Sequence, residues 1–582
     1  MTVQAQPISL VSPYGGPLVD LLALANEARE LRARAAELPQ VPMALRAQLD
    51  LELLATGGFS PLTTFMGEAD YRSVCEGMRL ANGTVFPLPV TLPVGDGIDV
   101  RAGTTVTLCD ETRQPLAVMD VHEVFARDWR VEAQHIYGSD DLAHPVIAEL
   151  AAAGRRQLSG PLRVFRLPVH HDFLDLRLTP AQSRARLAAL GRPHVVAFNT
   201  RNPLHRVHEE ITRRAMRTTG ASLLLHPIVG MTRPGDVDPF TRVRIYRRIV
   251  ERYFEREPVV LALLPLAMRM AGPREAVWHA IIRRNFGASH FIVGRDHAGP
   301  GNDSRGRPFF PPEAAPALAT RLAPEIGVEI VAFPELVYAP ERDAYVSREE
   351  AAQDRTVAVS GTRVRTEIAA GGSGLAAWMI RPEAAEELAR AYPPPGRQGF
   401  CVWITGLSGS GKTTVADILS VRIQERGRRV TLLDGDIIRS TISSDLSFSR
   451  QDRDTQVRRT GVVAAEAVRH HGAVVCASLS PFAGSRAEVR QMIGRESFLL
   501  VYLDTPIDVC RGRDPKGLYA RAGRGLIAGM TGMESPFEPP GDADLTLSTE
   551  HVTPDAVVAV VLAEMEKRGF ILPAAVEPAV NR

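Results

Sequence analysis

The octapeptide Gly406-Leu407-Ser408-Gly409-Ser410-Gly411-Lys412-Thr413 constrains this chain more than any other stretch. It has the form G-x-x-x-x-G-K-[ST], and its flanks supply the context that form requires. Phe400 to Thr405 is a continuous apolar run of strand length, and Thr414 to Arg426 reads as a helix that Gly427 would end. A strand, a glycine loop and a helix start, in that order, leave successive backbone N–H groups free to cradle phosphates. Lys412 would reach the β- and γ-phosphates, and Thr413 would hold Mg2+. A chance glycine-rich turn would lack these flanks, so the C-terminal part is expected to be a P-loop α/β domain.

The 582 residues leave room for roughly three or four domains. The clearest boundary is Ala391-Tyr-Pro-Pro-Pro-Gly-Arg-Gln-Gly399, whose prolines and glycines end the helical pattern of Pro382 to Arg390. Residues 1 to about 175 read as mixed β structure with helices near Leu21–Glu37 and Val41–Thr56 and strands such as Thr104–Cys109 and Pro115–Val124. No chemical motif stands out there, so a packing or orienting role is expected. From about 190 strands and helices alternate: strand His194–Phe198, helix Pro203–Thr219, strand Leu223–Ile228, helix Phe240–Phe254, strand Val259–Leu264, helix Arg274–Phe286, strand His290–Val293. Such alternation predicts parallel βαβ units in a doubly wound sheet, with ligands beyond the carboxyl ends of the strands. The expected division is 1–175, 176–330, a small α/β subdomain 331–390, a linker 391–399 and a P-loop domain 400–582.

Composition excludes several roles. The 68 basic and 67 acidic residues give a net charge of +1, which offers no global attraction to nucleic acid or an anionic membrane. No basic–aromatic stripe appears either, so no nucleic-acid partner is expected. The five cysteines are scattered without a C-x-x-C pair, which argues against structural zinc or a disulfide framework and fits a reduced cytoplasm. Met1 to Leu10 lacks a basic start followed by an apolar run, and no stretch approaches about 18 uninterrupted apolar residues, so neither a signal peptide nor a membrane span is expected. Phosphate binding must therefore come from local placement of arginine and lysine.

Two strand ends place such groups. Val195 to Glu209 delivers Asn199, Thr200, Arg201 and Asn202 at the end of one strand, just before a helix whose N-terminus favours anions. Arg201 adds a planar fork suited to sulfate or phosphate. His205 and His208 are expected on one helical face, able to stabilise charge on a departing phosphate. A metal site and an ordinary solvated pair are the alternatives, although His-Arg-Val-His-Glu lacks the H-E-x-x-H order of zinc proteases. The second end is Gly294, Arg295, Asp296 and His297, followed by Ala298 and glycines that admit a ligand close to the backbone. Two such ends in one sheet point to nucleotide binding.

At these residues the sequence resembles the ATP sulfurylases. The resemblance is carried by Thr200 to His208 and by Leu263 to Gly301, and spans about residues 1–390. It implies a PUA-like N-terminal domain, a nucleotidyltransferase domain of the H-x-x-H type, and the reaction of sulfate with MgATP to give adenylylsulfate (APS) and pyrophosphate. By that resemblance Arg201 and the backbone at Ala298 would hold sulfate, and Thr200 and Asn202 would position the reacting phosphate. His205 and His208 would stabilise the leaving pyrophosphate, Gly294 to His297 would bind ATP, and Leu336 would line the adenine pocket. The family usually carries Gln where this chain has Asn199. The shorter side chain would place its amide about 1 Å away, a displacement that can lower a rate on the order of 10²-fold unless the backbone compensates, which is the expectation.

The C-terminal part resembles the APS kinases over about residues 398–575, through Leu433 to Asp436, Phe448 to Arg453, Ser478 to Phe482 and Asp514 to Tyr519. The resemblance implies transfer of the ATP γ-phosphate to the 3′-hydroxyl of APS, giving PAPS. Asp436 would orient or deprotonate that hydroxyl, with a turn or helix-cap role as its alternative. Arg439, Arg453 and Lys516 are candidates for phosphate and sulfate contacts, with Leu479 beside them, and Phe448 and Phe537 for sandwiching the adenine of APS. Ser480 occupies the family's proposed phosphoserine position, but direct transfer needs no covalent intermediate, so a shaping role is expected. Residues 514–525 are expected to form a lid over ATP. The expected cofactor is Mg2+ with ATP, with no tightly held protein-ligated metal; the partners are ATP, sulfate and APS, and the resemblance suggests a dimer or hexamer. The alternatives are a C-terminal domain that only binds PAPS or another nucleotide as a regulator, a kinase joined to a sulfurylase weakened at Asn199, and a sulfurylase running in reverse to make ATP.

Overall fold

The computed structural model describes residues 9–95, 97–233, 236–333, 335–351, 354–358, 367 and 376–573. Most of the Met1 to Leu10 stretch read for a leader, and the last residues of the expected 400–582 domain, lie outside them. The chain divides into two compact units, with the change falling between Glu387 and Leu388.

The first unit opens with two small sheets. One carries strands Gln40–Pro42, Thr105–Cys109, Pro115–Asp120 and Leu162–Val164 side by side; the other carries Leu92–Val94, Arg156–Ser159 and Glu123–Ala126. The expected helix Val41–Thr56 begins only at Leu45. Val41 is instead the middle of a strand pairing in parallel with Leu108, a partner too distant in sequence for local periodicity to reveal.

A five-stranded sheet follows. Its order is Val259–Leu261, Ser222–Leu225, Val195–Phe198, His290–Ile292, Glu329–Val331, and every pairing is parallel. The chain starts in the middle, winds outward on one side, then returns to wind outward on the other. The switch point therefore lies between Val195–Phe198 and His290–Ile292, where a doubly wound sheet opens its crevice. Helix Gly272–Asn285 is buried almost all round, and Trp278 stacks on Phe59 of the N-terminal region at 4.9 Å between centroids. One apolar cluster runs through both regions, so the N-terminal sheets share the core of the five-stranded sheet. A three-stranded antiparallel sheet, Ala344–Ser347, Leu336–Ala339 and Val357–Ala358, forms the smaller appendage.

The second unit has a five-stranded parallel sheet ordered Val430–Asp434, Ala473–Ala477, Phe400–Gly406, Phe498–Leu503, Leu545–Leu547. All of Phe400–Gly406 is buried, as its continuous apolar run requires of a central parallel strand. Phe400, Val402 and Ile404 join the core on one face, and Cys401 and Trp403 the core on the other.

Among the described residues no helix is long and apolar enough to cross a membrane.

Candidate active sites

In the first unit the crevice gathers its groups from both sides of the switch point. Helix Arg206–Thr219 starts later than the expected Pro203, and His205 is its N-cap rather than a helical residue. The His205 backbone N–H donates to His208 Nδ1 at 3.2 Å, and the two rings stack at 5.1 Å and 18°. That bond makes Nδ1 an acceptor, so the neutral His208 ring carries its proton on Nε2. Burial pushes the His208 pKa down to about 4, which keeps the ring neutral near pH 7. The first turn is tied down from outside: Arg206 N–H donates to the Met379 carbonyl at 3.0 Å, and Arg381 holds the buried Glu209 carboxylate at 2.8 Å. Removing one partner of such a pair costs about 3–5 kcal/mol.

Arg201 lies across the crevice. Its guanidinium donates to the Gly299 carbonyl at 3.2 Å, approaches Met270 Sδ at 3.5 Å, and lies 3.8 Å from Asp236. Ala298 and Met270 both hold positive φ, 55° and 54°, in the loops that face Arg201. Thr200 Oγ1 accepts from Asn202 N–H at 3.1 Å, while Tyr246 Oη donates to the carbonyls of Thr200 and Asn202 at 3.3 and 3.4 Å. The loop from Asn199 to Asn202 is thus fixed by a buried tyrosine that sequence reasoning did not single out. Asn199 Nδ2 lies 3.4 Å from His279 Nδ1, and the same nitrogen is 2.8 Å from His297 Nε2. Asn199 and His297 therefore meet through His279 across the switch point, Arg201 reaches the loop of Ala298 through Gly299, and the His205–His208 cap follows on the same strand end as Asn199 and Arg201. Arg295 is not brought into it: its guanidinium pairs with Glu313 at 2.7 Å and Glu335 at 3.5 Å and is half exposed. Gly294 and Asp296 are exposed beside it. Leu336 is buried against Val207, Ile211 and Trp378.

The second unit encloses a cavity of about 1140 Å³ lined by Ser408, Gly409, Gly411, Lys412 and Thr413 at one end and by Asp436, Arg439, Phe448, Arg453 and Leu479 toward the other. Gly409 has φ 80°, and a Cβ there would stand 2.7 Å from the Cys510 carbonyl, so the loop admits no side chain. Gly411, at φ 92°, caps helix Lys412–Glu425, whose free N–H groups open into the cavity. Lys412 Nζ donates to the Leu407 carbonyl at 2.7 Å, and burial lowers its pKa to about 8. Thr413 Oγ1 donates to Asp434 Oδ2 at 3.0 Å, which puts a hydroxyl and a carboxylate side by side, a donor set suited to Mg2+. Asp434 also caps the next helix, so the cap role weighed for Asp436 belongs to its neighbour.

Asp436 forms an ion pair with Lys516, and Arg439 lies over the Phe448 ring at 4.5 Å. Arg453 is held by Thr531 and by the Gly529 carbonyl. Gln456 donates to the Gly435 carbonyl at 2.9 Å and so steadies the turn before Asp436. Phe448 lines the cavity, and Phe537 stacks on Tyr502 at 5.8 Å between centroids. Ser480 is buried with φ 32°. Its Oγ accepts from Trp403 Nε1 and donates to Thr405 Oγ1, both at 3.0 Å, which fixes the turn after strand Ala473–Ala477. Residues Leu518–Gly523 form a short helix beside the phosphate loop, where Tyr519 Oη donates to the Ser408 carbonyl at 3.0 Å.

Fold and sites together define a transferase of two nucleotide-handling parts, one built on a doubly wound sheet and one on a P-loop. Family profiles agree: a PUA-like domain matches residues 11–167, ATP-sulfurylase 174–391 and adenylylsulphate kinase 398–548. A sulfate adenylyltransferase of Phaeosphaeria nodorum is 42% identical over 569 residues, covering 96% of this chain and 99% of the relative. One of Mycosarcoma maydis is 42% identical over 573 residues, covering 96% and 100%. Among solved structures, the hexameric APS kinase from Thiobacillus denitrificans aligns with a TM-score of 0.78 at 32% identity, covering 97% of this chain and all of that one. The chain belongs to the sulfate adenylyltransferase family and carries an adenylylsulphate kinase domain behind the sulfurylase.

Proposed function

We propose that the chain activates sulfate in two steps, sulfate and ATP giving APS and pyrophosphate, then APS and a second ATP giving PAPS and ADP. The observation that supports this reading is a pair of strand-end arrangements: Arg201 against the Gly299 carbonyl in the first sheet, and Lys412 with the glycine loop lining a cavity in the second. In the first, a sulfate oxygen held by Arg201 attacks the α-phosphorus in line as the bond to the pyrophosphate oxygen breaks. The neutral Nε2–H of His208 and the His205 ring donate toward that leaving oxygen, where negative charge grows. Thr200 and Asn202 orient the phosphate, and His297 with its glycine-rich loop takes the nucleotide. Arg295, turned to Glu313 and Glu335, meets the nucleotide only by exchanging those partners.

In the second, the phosphate loop and Lys412 hold the donor. Asp436, paired with Lys516, accepts the proton of the APS 3′-hydroxyl as its oxygen attacks the γ-phosphorus and the bond to the departing ADP oxygen breaks. Thr413 and Asp434 would hold the Mg2+ that accompanies ATP, which when bound neutralises charge on the β- and γ-phosphates. Arg439, Arg453 and Phe448 line the cavity where APS would lie. The intact Lys412 and Thr413, sharing that cavity with Asp436, favour catalysis over a purely regulatory tail. We assign the enzyme to the cytoplasm as a homo-oligomer, a dimer or hexamer, which light scattering tests.

Two assays on the pure protein decide the function: sulfate-dependent pyrophosphate release from ATP, and PAPS formation from supplied APS. Lys412→Ala is expected to abolish the second and spare the first. Loss of both, or of neither, would overturn the assignment of two separate sites.

A further inference from the structure

Helix Gly272–Asn285 is buried almost all round, yet one of its buried faces is not apolar. Glu275, His279 and Arg283 recur every fourth residue, so they form one row, and each is completely buried. Burying a carboxylate and a guanidinium is tolerated only when their polar atoms are engaged. Glu275 Oε1 accepts from Arg269 N–H at 3.0 Å and Oε2 from Ala271 N–H at 2.9 Å, and its Oε1 lies 3.2 Å from His279 Nε2. Burial raises the Glu275 pKa, and the N–H donors on both oxygens, with His297 and Arg269 nearby, work against that shift.

A proton inventory follows. His279 Nε2 lies 3.2 Å from Glu275 Oε1 but out of line for a hydrogen bond, so the tie is the electrostatic one: the carboxyl oxygen beside Nε2 favours the ring proton there, which leaves His279 Nδ1 as a lone pair. That lone pair faces His297 Nε2 at 2.8 Å and Asn199 Nδ2 at 3.4 Å. His297 must then donate through Nε2, keeping Nδ1 as its acceptor, and the Asn199 amide must present its NH2 to His279. Asn199 Oδ1 is turned the other way and is buried with no hydrogen-bond partner. The titratable groups around His279 are Glu275 and Arg283 on its own helix, His297 and Arg201 at the two strand ends, and His226 after strand Ser222–Leu225. Burial drives His279, His297 and His226 far toward their neutral forms, in keeping with this arrangement.

We propose that Glu275 and His279 are a positioning pair for the adenylyl-transfer step: they fix His297 as its Nε2–H tautomer and set the Asn199 amide with its oxygen toward the reacting groups. The inference rests on the sulfurylase reading and concerns residues that touch neither substrate. It also accounts for asparagine at position 199, since the His279 ring supplies a hydrogen-bonding partner within reach of the shorter side chain.

The test uses the full chain with His279→Leu, His279→Asn and the isosteric Glu275→Gln. Asparagine offers an amide oxygen near the place of Nδ1; leucine offers none. His279→Leu is expected to lower the sulfurylase kcat by about 10²-fold, with KM for ATP and sulfate within about threefold, the scale of a misplaced reacting group. His279→Asn should recover at least about tenfold of that loss, and Glu275→Gln should fall between them. In ring-15N spectra the wild-type His297 should show a protonated Nε2 and a pyridine-like Nδ1, and Glu275→Gln should mix the two tautomers. Equal activity of the leucine and asparagine variants, or a rise in KM at constant kcat, would overturn the proposal. So would an unchanged His297 spectrum in Glu275→Gln, which is decisive even if both His279 variants fail to fold. A wild-type protein that released no pyrophosphate would sink the sulfurylase reading instead, and the spectrum would still judge the pair.

Discussion

Replacing Ser480 by alanine separates two roles for one hydroxyl. In the fold, Ser480 Oγ is a junction: it accepts from Trp403 Nε1 and donates to Thr405 Oγ1, each at 3.0 Å, with the residue 1% exposed. Alanine leaves the indole N–H buried without an acceptor, at a cost of about 1–3 kcal/mol, and removes a second bond of about 1 kcal/mol. The expected loss is therefore about 2–4 kcal/mol in the second unit. With a urea slope of roughly 2–3 kcal/mol/M, its unfolding midpoint should fall by about 1 M. Trp403 is the last of the chain's four tryptophans, and the other three lie at 129, 278 and 378, so a chain stripped of those reports this transition by fluorescence. Turnover of APS to PAPS under native conditions should drop less than about tenfold, because the Ser480 hydroxyl, although the residue lines the cavity, is engaged with Trp403 and Thr405. A fall beyond about 10³-fold with an unchanged midpoint would refute the reasoning and make Ser480 a phosphate carrier.

Acid should destabilise the first unit. His144 caps helix Pro145–Ala152 through Nδ1 and donates from Nε2 to the Met270 carbonyl at 3.1 Å, and burial pushes its pKa down to about 4. Because the folded pKa is depressed below 6.5, the unfolded chain binds the extra proton between about pH 6.5 and 4. Stability is complete above that window and lost as pH falls through it, by up to about 3 kcal/mol for this residue. His144→Asn, which keeps a capping group but does not titrate, should flatten the pH dependence of the urea midpoint; an unchanged slope would count against the assignment. Gly399→Ala should disrupt the entry to the central P-loop strand, since a Cβ there would lie 2.0 Å from the Val468 carbonyl. Calorimetry should show the second unit's transition lowered or lost, and an unaltered thermogram would contradict the geometry.

The P-loop domain was legible because its signals are local. An apolar run, glycines at fixed spacing and a helix start are all contiguous, and the strand and loop at 400–413 follow them closely. The switch-point crevice was legible in outline, since Asn199 to Asn202 and Gly294 to His297 each follow an apolar strand. What sequence could not supply were partners remote along the chain. Arg295 looked like a ligand for nucleotide, but its direction is set by Glu313 and Glu335. Tyr502 stacks on Phe537, a pairing across 35 residues that no local pattern announces. Pro203 looked like a first helical residue, yet the His208 ring closes the cap at His205. The Glu275–His279–Arg283 row did leave a trace, polar residues every fourth place with Ala276–Trp278 and Ala280–Ile282 apolar between them, which fits a buried polar face.

The clamp on helix Arg206–Thr219 has a consequence for how this enzyme could be rebuilt. Because the first turn hangs from the Met379 carbonyl and its Glu209 from Arg381, the aim of the two imidazoles is decided some 170 residues downstream of them. Cutting the protein after Val331, at the end of the first unit's five-stranded sheet, would keep His205 and His208 and lose the bracket that points them. Any minimal version of the sulfurylase must carry residues 376–387, supplied in the same chain or as a separate peptide.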